Sequence, residues 1–247
     1  MSERREYASF LEERRAEILE RIDAAARRSG RSAGEVEAIA VSKTVGPDEV
    51  LLARRAGWGR FGENRPQELG RKLEALGGLP EMAGVRFDMI GNLQKNKINQ
   101  VIGRVALIHS ISSAHLAEAV STRCEARGIV ADVLLEVNVS GEASKSGFSP
   151  DEVRAAAEAL VALPGIDVRG LMTMAPAGDP DAARRTFSGL RELACELRER
   201  TGLPLKTLSC GMSDDFEIAV EEGSTLVRLG RCVFDRGFAL GGRADRD

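Results

Sequence analysis

The feature that most constrains the fold of this 247-residue chain is a strict alternation of short apolar runs with longer amphipathic ones. The short runs stand at Val36–Ser42, Arg60–Gly62, Arg86–Ile90, Ala106–Ile111, Asp132–Val139, Asp167–Met172, Lys206–Leu208 and Thr225–Leu229. Between them, apolar residues recur at three- and four-residue steps over Pro47–Ala56, Pro66–Leu76, Gln94–Ile102, Ala114–Arg127, Pro150–Ala162, Pro180–Arg200 and Asp214–Glu222. The first set reads as strands and the second as helices, because each element repeats its buried face at its own period. Proline opens several of the helices where no backbone N–H is needed, and Gly57, Gly128 and Gly202 fall where helices stop. Strands joined through helices pair in parallel by right-handed crossovers, and eight of them close into a single α/β barrel of the (β/α)8 TIM type. An open doubly wound sheet is the alternative arrangement of the same elements.

Ahead of the alternation, Tyr7, Phe10, Leu11, Ile18, Leu19, Ile22, Ala25 and Ala26 recur at helical spacing between Ser2 and Arg28, with Ser29-Gly30 as the stop. Glu and Arg alternate on its polar side, so this extra N-terminal helix is expected to pack on the barrel rather than to dock a partner. No Pro/Gly/Ser-rich linker divides the chain, so one domain is expected over 1–247, with the helix in 1–30 and the barrel in 36–240. A net charge of −3 and 4% aromatic residues offer neither the field nor the stacking surface that nucleic acid needs. No apolar run reaches membrane-spanning length and the charged N-terminus has no apolar secretory core, which leads to the expectation of a cytoplasmic protein without a membrane partner. Cys124, Cys195, Cys210 and Cys232 are far apart and neither His109 nor His115 stands beside one, so reduced thiols and no metal site are expected.

In a barrel of this kind the residues that follow each strand share one rim, so motifs distant in sequence add together. The first exit is Ile39-Ala40-Val41-Ser42-Lys43-Thr44, closed by Gly46-Pro47. It places Lys43 at the mouth as a candidate functional amine; a solvated strand cap is the plain alternative, since lysine is mostly exposed. Further exits are Phe61-Gly62-Glu63-Asn64-Arg65, Ile90-Gly91-Asn92-Leu93-Gln94-Lys95-Asn96-Lys97, the polar loop Asn138–Phe148 with a second lysine at Lys145, and Gly170-Leu171-Met172-Thr173-Met174. Strand seven leaves through Leu208-Ser209-Cys210-Gly211-Met212-Ser213-Asp214-Asp215 and strand eight through Arg228-Leu229-Gly230-Arg231. Small and hydroxyl-bearing residues leading into a helix present N–H and O–H donors to an anion, and these two loops are the usual phosphate site of such barrels. An amine facing a phosphate cradle matches the two handles of pyridoxal 5'-phosphate, an aldehyde and a phosphate ester.

With these motifs, the chain from about Val36 to Phe238 resembles the pyridoxal phosphate homeostasis protein family, itself similar in fold to the barrel domain of alanine racemase. The resemblance implies that Lys43 holds the cofactor covalently and that Asn64 and Met172 line its ring. It further implies that Ser209, Met212, Ser213, Gly230 and Arg231 surround the phosphate while Arg228 faces the pyridine nitrogen. The implied function is intracellular carriage or regulation of pyridoxal 5'-phosphate without robust catalysis. The implied partners are the small-molecule cofactor and apo enzymes that receive it, and the expected assembly is a monomer. A permanently charged arginine opposite the ring nitrogen disfavours ring protonation and so weakens the electron sink that transamination needs. A racemase-like enzyme of amino acids is the rival reading. It needs a second acid/base, for which the chain offers Tyr7, far off in the N-terminal helix, or His109, near the end of strand four. A barrel for another phosphorylated metabolite, with Lys43 as an ordinary charge contact, is a third. Two positions depart from the family pattern: Asp88 stands where a histidine is usual, and Arg231 where a threonine is.

Overall fold

In the computed structural model, which describes residues 2–241, eight parallel strands close into a barrel in chain order. They are β1 (Glu37–Val41), β2 (Arg60–Glu63), β3 (Arg86–Met89), β4 (Leu107–Ile111), β5 (Ala131–Glu136), β6 (Ile166–Met172), β7 (Thr207–Ser209) and β8 (Leu226–Leu229). β1 makes the closure: Ala40 lies beside Phe61 of β2 on one side and beside Leu229 of β8 on the other. An open doubly wound sheet has no such pairing between its first and last strands, so that alternative is excluded.

The helices are α1 (Ser2–Arg28), α2 (Pro47–Arg55), α3 (Pro66–Leu76), α4 (Ala114–Glu125), α5 (Pro150–Val161), α6 (Pro180–Thr201), α7 (Phe216–Glu221) and α8 (Arg231–Phe234). Their ends follow from single residues. Pro47, Pro66, Pro150 and Pro180 open α2, α3, α5 and α6. The side chains of Ser113, Ser149 and Asp179 accept the N–H groups of Leu116, Glu152 and Ala182, each such cap contributing about 1 kcal/mol. Gly202 ends α6 in the left-handed region at φ 70°.

Three expectations are corrected in their limits. The helical pattern over Gln94–Ile102 folds as a 3-10 turn over Lys95–Gln100, because Asn96, Asn99 and Gln100 carry amides that compete for backbone hydrogen bonds and only Ile98 within the turn is buried. The fifth strand stops at Glu136 and not at Val139. Asn138 turns the chain there: its side-chain amide donates to Glu142 O at 2.8 Å and its Oδ1 accepts the Gly141 N–H at 3.0 Å. The seventh barrel helix begins at Phe216 and not at Asp214, since Asp215 Oδ1 accepts the Met212 N–H at 2.6 Å and holds 212–215 as a turn.

Apolar side chains fill the layer between strands and helices. α1 buries Leu11, Ile18, Ile22, Ala25 and Ala26 against it and packs on α2, α7 and α8. Inside the strands the fill is mixed. Ile39, Val41, Leu107, Leu134, Met172 and Leu226 form an apolar cluster, but Arg60, Asp88, His109, Ser209 and Arg228 are buried in the same interior. Barrel interiors are ordinarily branched and apolar, so polar groups sealed there at a desolvation cost call for a functional reason.

Candidate functional site

A cavity of about 570 Å³ opens at the carboxyl ends of the strands. Lys43, Asn64, Met172, Met212, Ser213, Arg228, Gly230 and Arg231 all line it, with Val41, Ile90 and Met174 as its apolar walls. Ser209 does not. It is fully buried below the floor, where its hydroxyl meets His109 Nδ1 and Arg228 Nη1, so its expected place around a phosphate is corrected to a place under Arg228.

Lys43 is exposed and forms no ion pair among the described residues, while the residue before it is firmly held. Ser42 donates its N–H to Gly62 O at 2.9 Å and its hydroxyl to Glu63 Oε1 at 2.6 Å. Its carbonyl accepts from Lys72 Nζ of α3 at 2.5 Å, and Lys72 pairs with the same Glu63 oxygen. Both charged side chains are sealed, at 1% and 0% exposure. Ser42 faces the helix layer, so strand alternation turns Lys43 into the mouth. Sequence reasoning missed this clamp. The signal was available: Lys72 shares a helical face with Leu69 and Leu76, both buried, where a lysine needs a partner.

Arg228 is buried on β8, with three of its five N–H donors engaged by the protein. Nη1 donates to Ser209 O at 2.8 Å and to Ser209 Oγ at 2.6 Å, and Nη2 to Thr173 O at 3.1 Å. Nε–H and one Nη2–H are left for a ligand in the cavity. On the next turn Ser213 Oγ accepts the Cys232 N–H at 3.2 Å, which keeps its hydroxyl proton available. Arg231 pairs with Asp214 and lies over the Phe238 ring at 5.2 Å, so both charges of that pair sit at the mouth. Across the cavity, Gly91 packs so closely on Asn64 that a Cβ there would fall 2.3 Å from Asn64 O. Only glycine lets these two exits touch.

Glu136, which sequence reasoning passed over as part of a strand, is 4% exposed and also lines the cavity. Burial pushes its pKa up and the charge of Arg228 opposes the rise, with desolvation the larger effect. A folded-state pKa above the unfolded value means that stability is lost as pH rises from the ordinary carboxylate range through the raised one. Glu136→Gln is therefore expected to be more stable than the parent at neutral pH, with the gap closing on acidification. Denaturant unfolding at the two pH values checks this, and a gap that widens in acid would contradict it.

Three other candidates fall outside the cavity. Lys145 pairs with Glu142 and donates to Met174 O at 3.1 Å, tying the loop after β5 to the exit of β6. His109 is fully buried with both ring nitrogens engaged, and the Tyr7 hydroxyl donates to Phe234 O at 2.9 Å, away from the rim. A second groove of about 600 Å³ lies outside the barrel beside α1 and α7, but its Arg21, Arg28 and Arg184 are each bonded to Glu217, Glu221 or Glu222. The rim cavity alone of the two presents an unpaired amine. Among the described residues no group of three or more His, Cys, Asp or Glu is arranged to hold a metal ion.

Comparison with known proteins gives four findings. The family model "Alanine racemase, N-terminal domain" matches residues 15–235. A relative from Aquifex aeolicus named pyridoxal phosphate homeostasis protein is 41% identical over 223 residues, covering 90% of this chain and 96% of its own. Among solved structures, PipY of Synechococcus elongatus with PLP bound superposes with a TM-score of 0.76 at 34% identity, covering 88% of this chain and 99% of that one. Alanine racemase from Corynebacterium glutamicum, at 18% identity and a TM-score of 0.69 over 95% of this chain and 64% of its own, shares the fold.

Proposed function

The chain belongs to the pyridoxal phosphate homeostasis protein family, and on that premise we propose that it binds pyridoxal 5'-phosphate in the rim cavity and carries or buffers it without turning over a substrate. The observation that carries this reading is the convergence of an unpaired amine, a cationic donor and a free hydroxyl on one cavity. The donor set fits the group. Lys43 offers the amine, Arg228 offers two N–H donors to a ring nitrogen, and Ser213 with the turn around Gly230 offers donors to a phosphate. When bound, the cofactor supplies an aldehyde carbon that condenses with a primary amine with loss of one water.

Each of these residues has a separate task. The clamp on Ser42 fixes where the Lys43 chain leaves the strand. Met172 and Met174 give the cavity an apolar wall that would exclude water from a flat ring and adapt to its shape. Arg228, always charged, keeps an acceptor nitrogen without a proton. Ser213 contributes one hydrogen bond to a charged group, worth roughly 1.5–3 kcal/mol. Ser213→Ala is accordingly expected to weaken pyridoxal 5'-phosphate binding by about ten- to a hundredfold and to leave pyridoxal binding nearly unchanged. Equal losses for both ligands in equilibrium titrations would place the phosphate elsewhere.

The carrier reading is favoured over a racemase-like one because neither acid/base that the sequence offered reaches the cavity: the Tyr7 hydroxyl bonds Phe234 O of α8 and His109 is sealed. Glu136 is the remaining buried acid of the cavity. The reading extends to a single domain acting as a cytoplasmic monomer, with apo forms of cofactor-dependent enzymes as recipients. Among the described residues no helix is long and apolar enough to cross a membrane. The test is a titration with pyridoxal 5'-phosphate, expected to raise a visible absorption band, followed by incubation with L- or D-alanine in heavy water. At most slow exchange of the α-proton is expected. Exchange at ordinary enzyme turnover, on the order of 1–10³ per second, would overturn the carrier reading, and no visible band would overturn the cofactor.

A further inference from the structure

Below the cavity floor a line of side chains runs up the barrel interior, and neither its acid nor its histidine is used by the function proposed above. Arg60 donates from Nη1 to Glu37 Oε2 at 2.5 Å and from Nε to Asp88 Oδ2 at 2.8 Å. His109 Nε2 stands 2.9 Å from that same Asp88 oxygen, and His109 Nδ1 stands 2.9 Å from Ser209 Oγ. Arg228 Nη1 reaches Ser209 Oγ at 2.6 Å. From Asp88 to Arg228 every member is at most 4% exposed, so bulk solvent does not reach the line.

Counting protons in this sealed line fixes its direction. Arg228 only donates, so Ser209 Oγ accepts from it and must place its single proton elsewhere. The acceptor within reach is His109 Nδ1, which therefore carries no proton. Nε2 then bears the hydrogen and donates to Asp88 Oδ2, which also accepts from Arg60. Asp88 Oδ1 is buried without a partner, as a carboxylate oxygen can be only at a cost; a proton on it would have no acceptor. We propose that Asp88 and His109 are positioning residues for Arg228: Asp88 holds His109 as the Nε2–H tautomer, His109 takes the Ser209 hydroxyl proton, and Ser209 thereby meets Nη1 with two acceptors and aims the remaining guanidinium donors into the cavity. The ligand class so selected is a heteroaromatic ring with an unprotonated nitrogen. That last step rests on the cofactor reading; the tautomer does not.

The surrounding charges agree. Arg60 of β2 and Arg228 of β8 face His109 and disfavour its cation, as does burial, while Asp88 of β3 favours it; Glu136 of β5 faces Arg228 on the cavity side. The balance lowers the His109 pKa, with desolvation the largest cause. Protonation at Nδ1 would point a second donor at Ser209 Oγ and strand the hydroxyl proton. The departure at Asp88 thus acquires a role: an acid in that position accepts from His109 Nε2 and so sets which histidine nitrogen carries the proton.

Two measurements test this. Long-range proton–nitrogen correlation on the ligand-free protein reads the tautomer of His109 directly. The expected result at neutral pH is a protonated Nε2 and a bare Nδ1; an Nδ1–H tautomer or an imidazolium overturns the proposal, whatever the cavity binds. Titration with pyridoxal 5'-phosphate then compares His109→Phe with His109→Gln, which keeps one acceptor and one donor. His109→Phe is expected to lose roughly tenfold or more in affinity and to shift the pH midpoint of the visible band, with His109→Gln within about threefold of the parent. Equal losses in both variants with an unmoved midpoint indicate packing alone and overturn it. Absence of any band in the parent protein defeats the function proposed above, and the tautomer then decides this proposal by itself.

Discussion

Lys72→Met lowers the melting temperature by roughly 6–20 °C. The change removes one partner of a sealed ion pair and leaves Glu63 charged, buried and short of a donor, when its Oε2 already has none. Breaking a buried pair in this way costs about 3–5 kcal/mol, and for a chain of this size each kcal/mol moves the midpoint by about 2–4 °C. Lys72→Met combined with Glu63→Leu is expected to recover most of the loss, because the penalty lies in the stranded charge and not in the missing attraction. Calorimetry of the parent, single and double variants checks the pair. A double variant that falls further than the single would show that the ion pair itself stabilises the fold. The single variant is also expected to loosen Lys43, since the Ser42 carbonyl loses its donor.

Lys43→Ala abolishes the visible band that pyridoxal 5'-phosphate raises in the parent. Lys43 is the one lysine among the residues lining the cavity, and two others have different employment: Lys72 is sealed under Ser42, and Lys145 is held by Glu142 and Met174 O. Because Lys43 is exposed and pairs with no carboxylate among the described residues, its loss is expected to change stability by no more than about 0.5 kcal/mol. Loss of the band with an unchanged melting curve separates a chemical role from a structural one. A band that persists, or that moves to an amine at Lys145, would contradict the assignment.

The barrel was legible because its helix starts and stops are written in single residues, such as Pro66, Pro150 and Gly202, and its buried strands in short apolar runs. The rim was legible for the same reason: once the strands are placed, Lys43, Asn64, Ser213 and Arg228 must share one end. What stayed hidden depends on which face of a strand a polar residue takes. Ser209 follows the apolar Leu208 and reads as part of an exit loop, yet it ends β7 facing inward and serves Arg228 from below. Glu63 reads as part of a rim motif, yet it points outward to Lys72 of α3. Asp88 reads as a departure from a family pattern, and only the fold brings it to His109 and Arg60 across two neighbouring strands. Pairings of this kind are set by register around the closed barrel, which no local spacing records.

The measurement that bears most directly on Lys43 as the point of attachment is borohydride reduction of the parent protein saturated with pyridoxal 5'-phosphate, followed by peptide mapping. Hydride makes the attachment permanent as a secondary amine that survives digestion. The predicted result is stoichiometric modification of the peptide that contains Lys43. Modification at Lys145 or Lys97 with Lys43 free would contradict it.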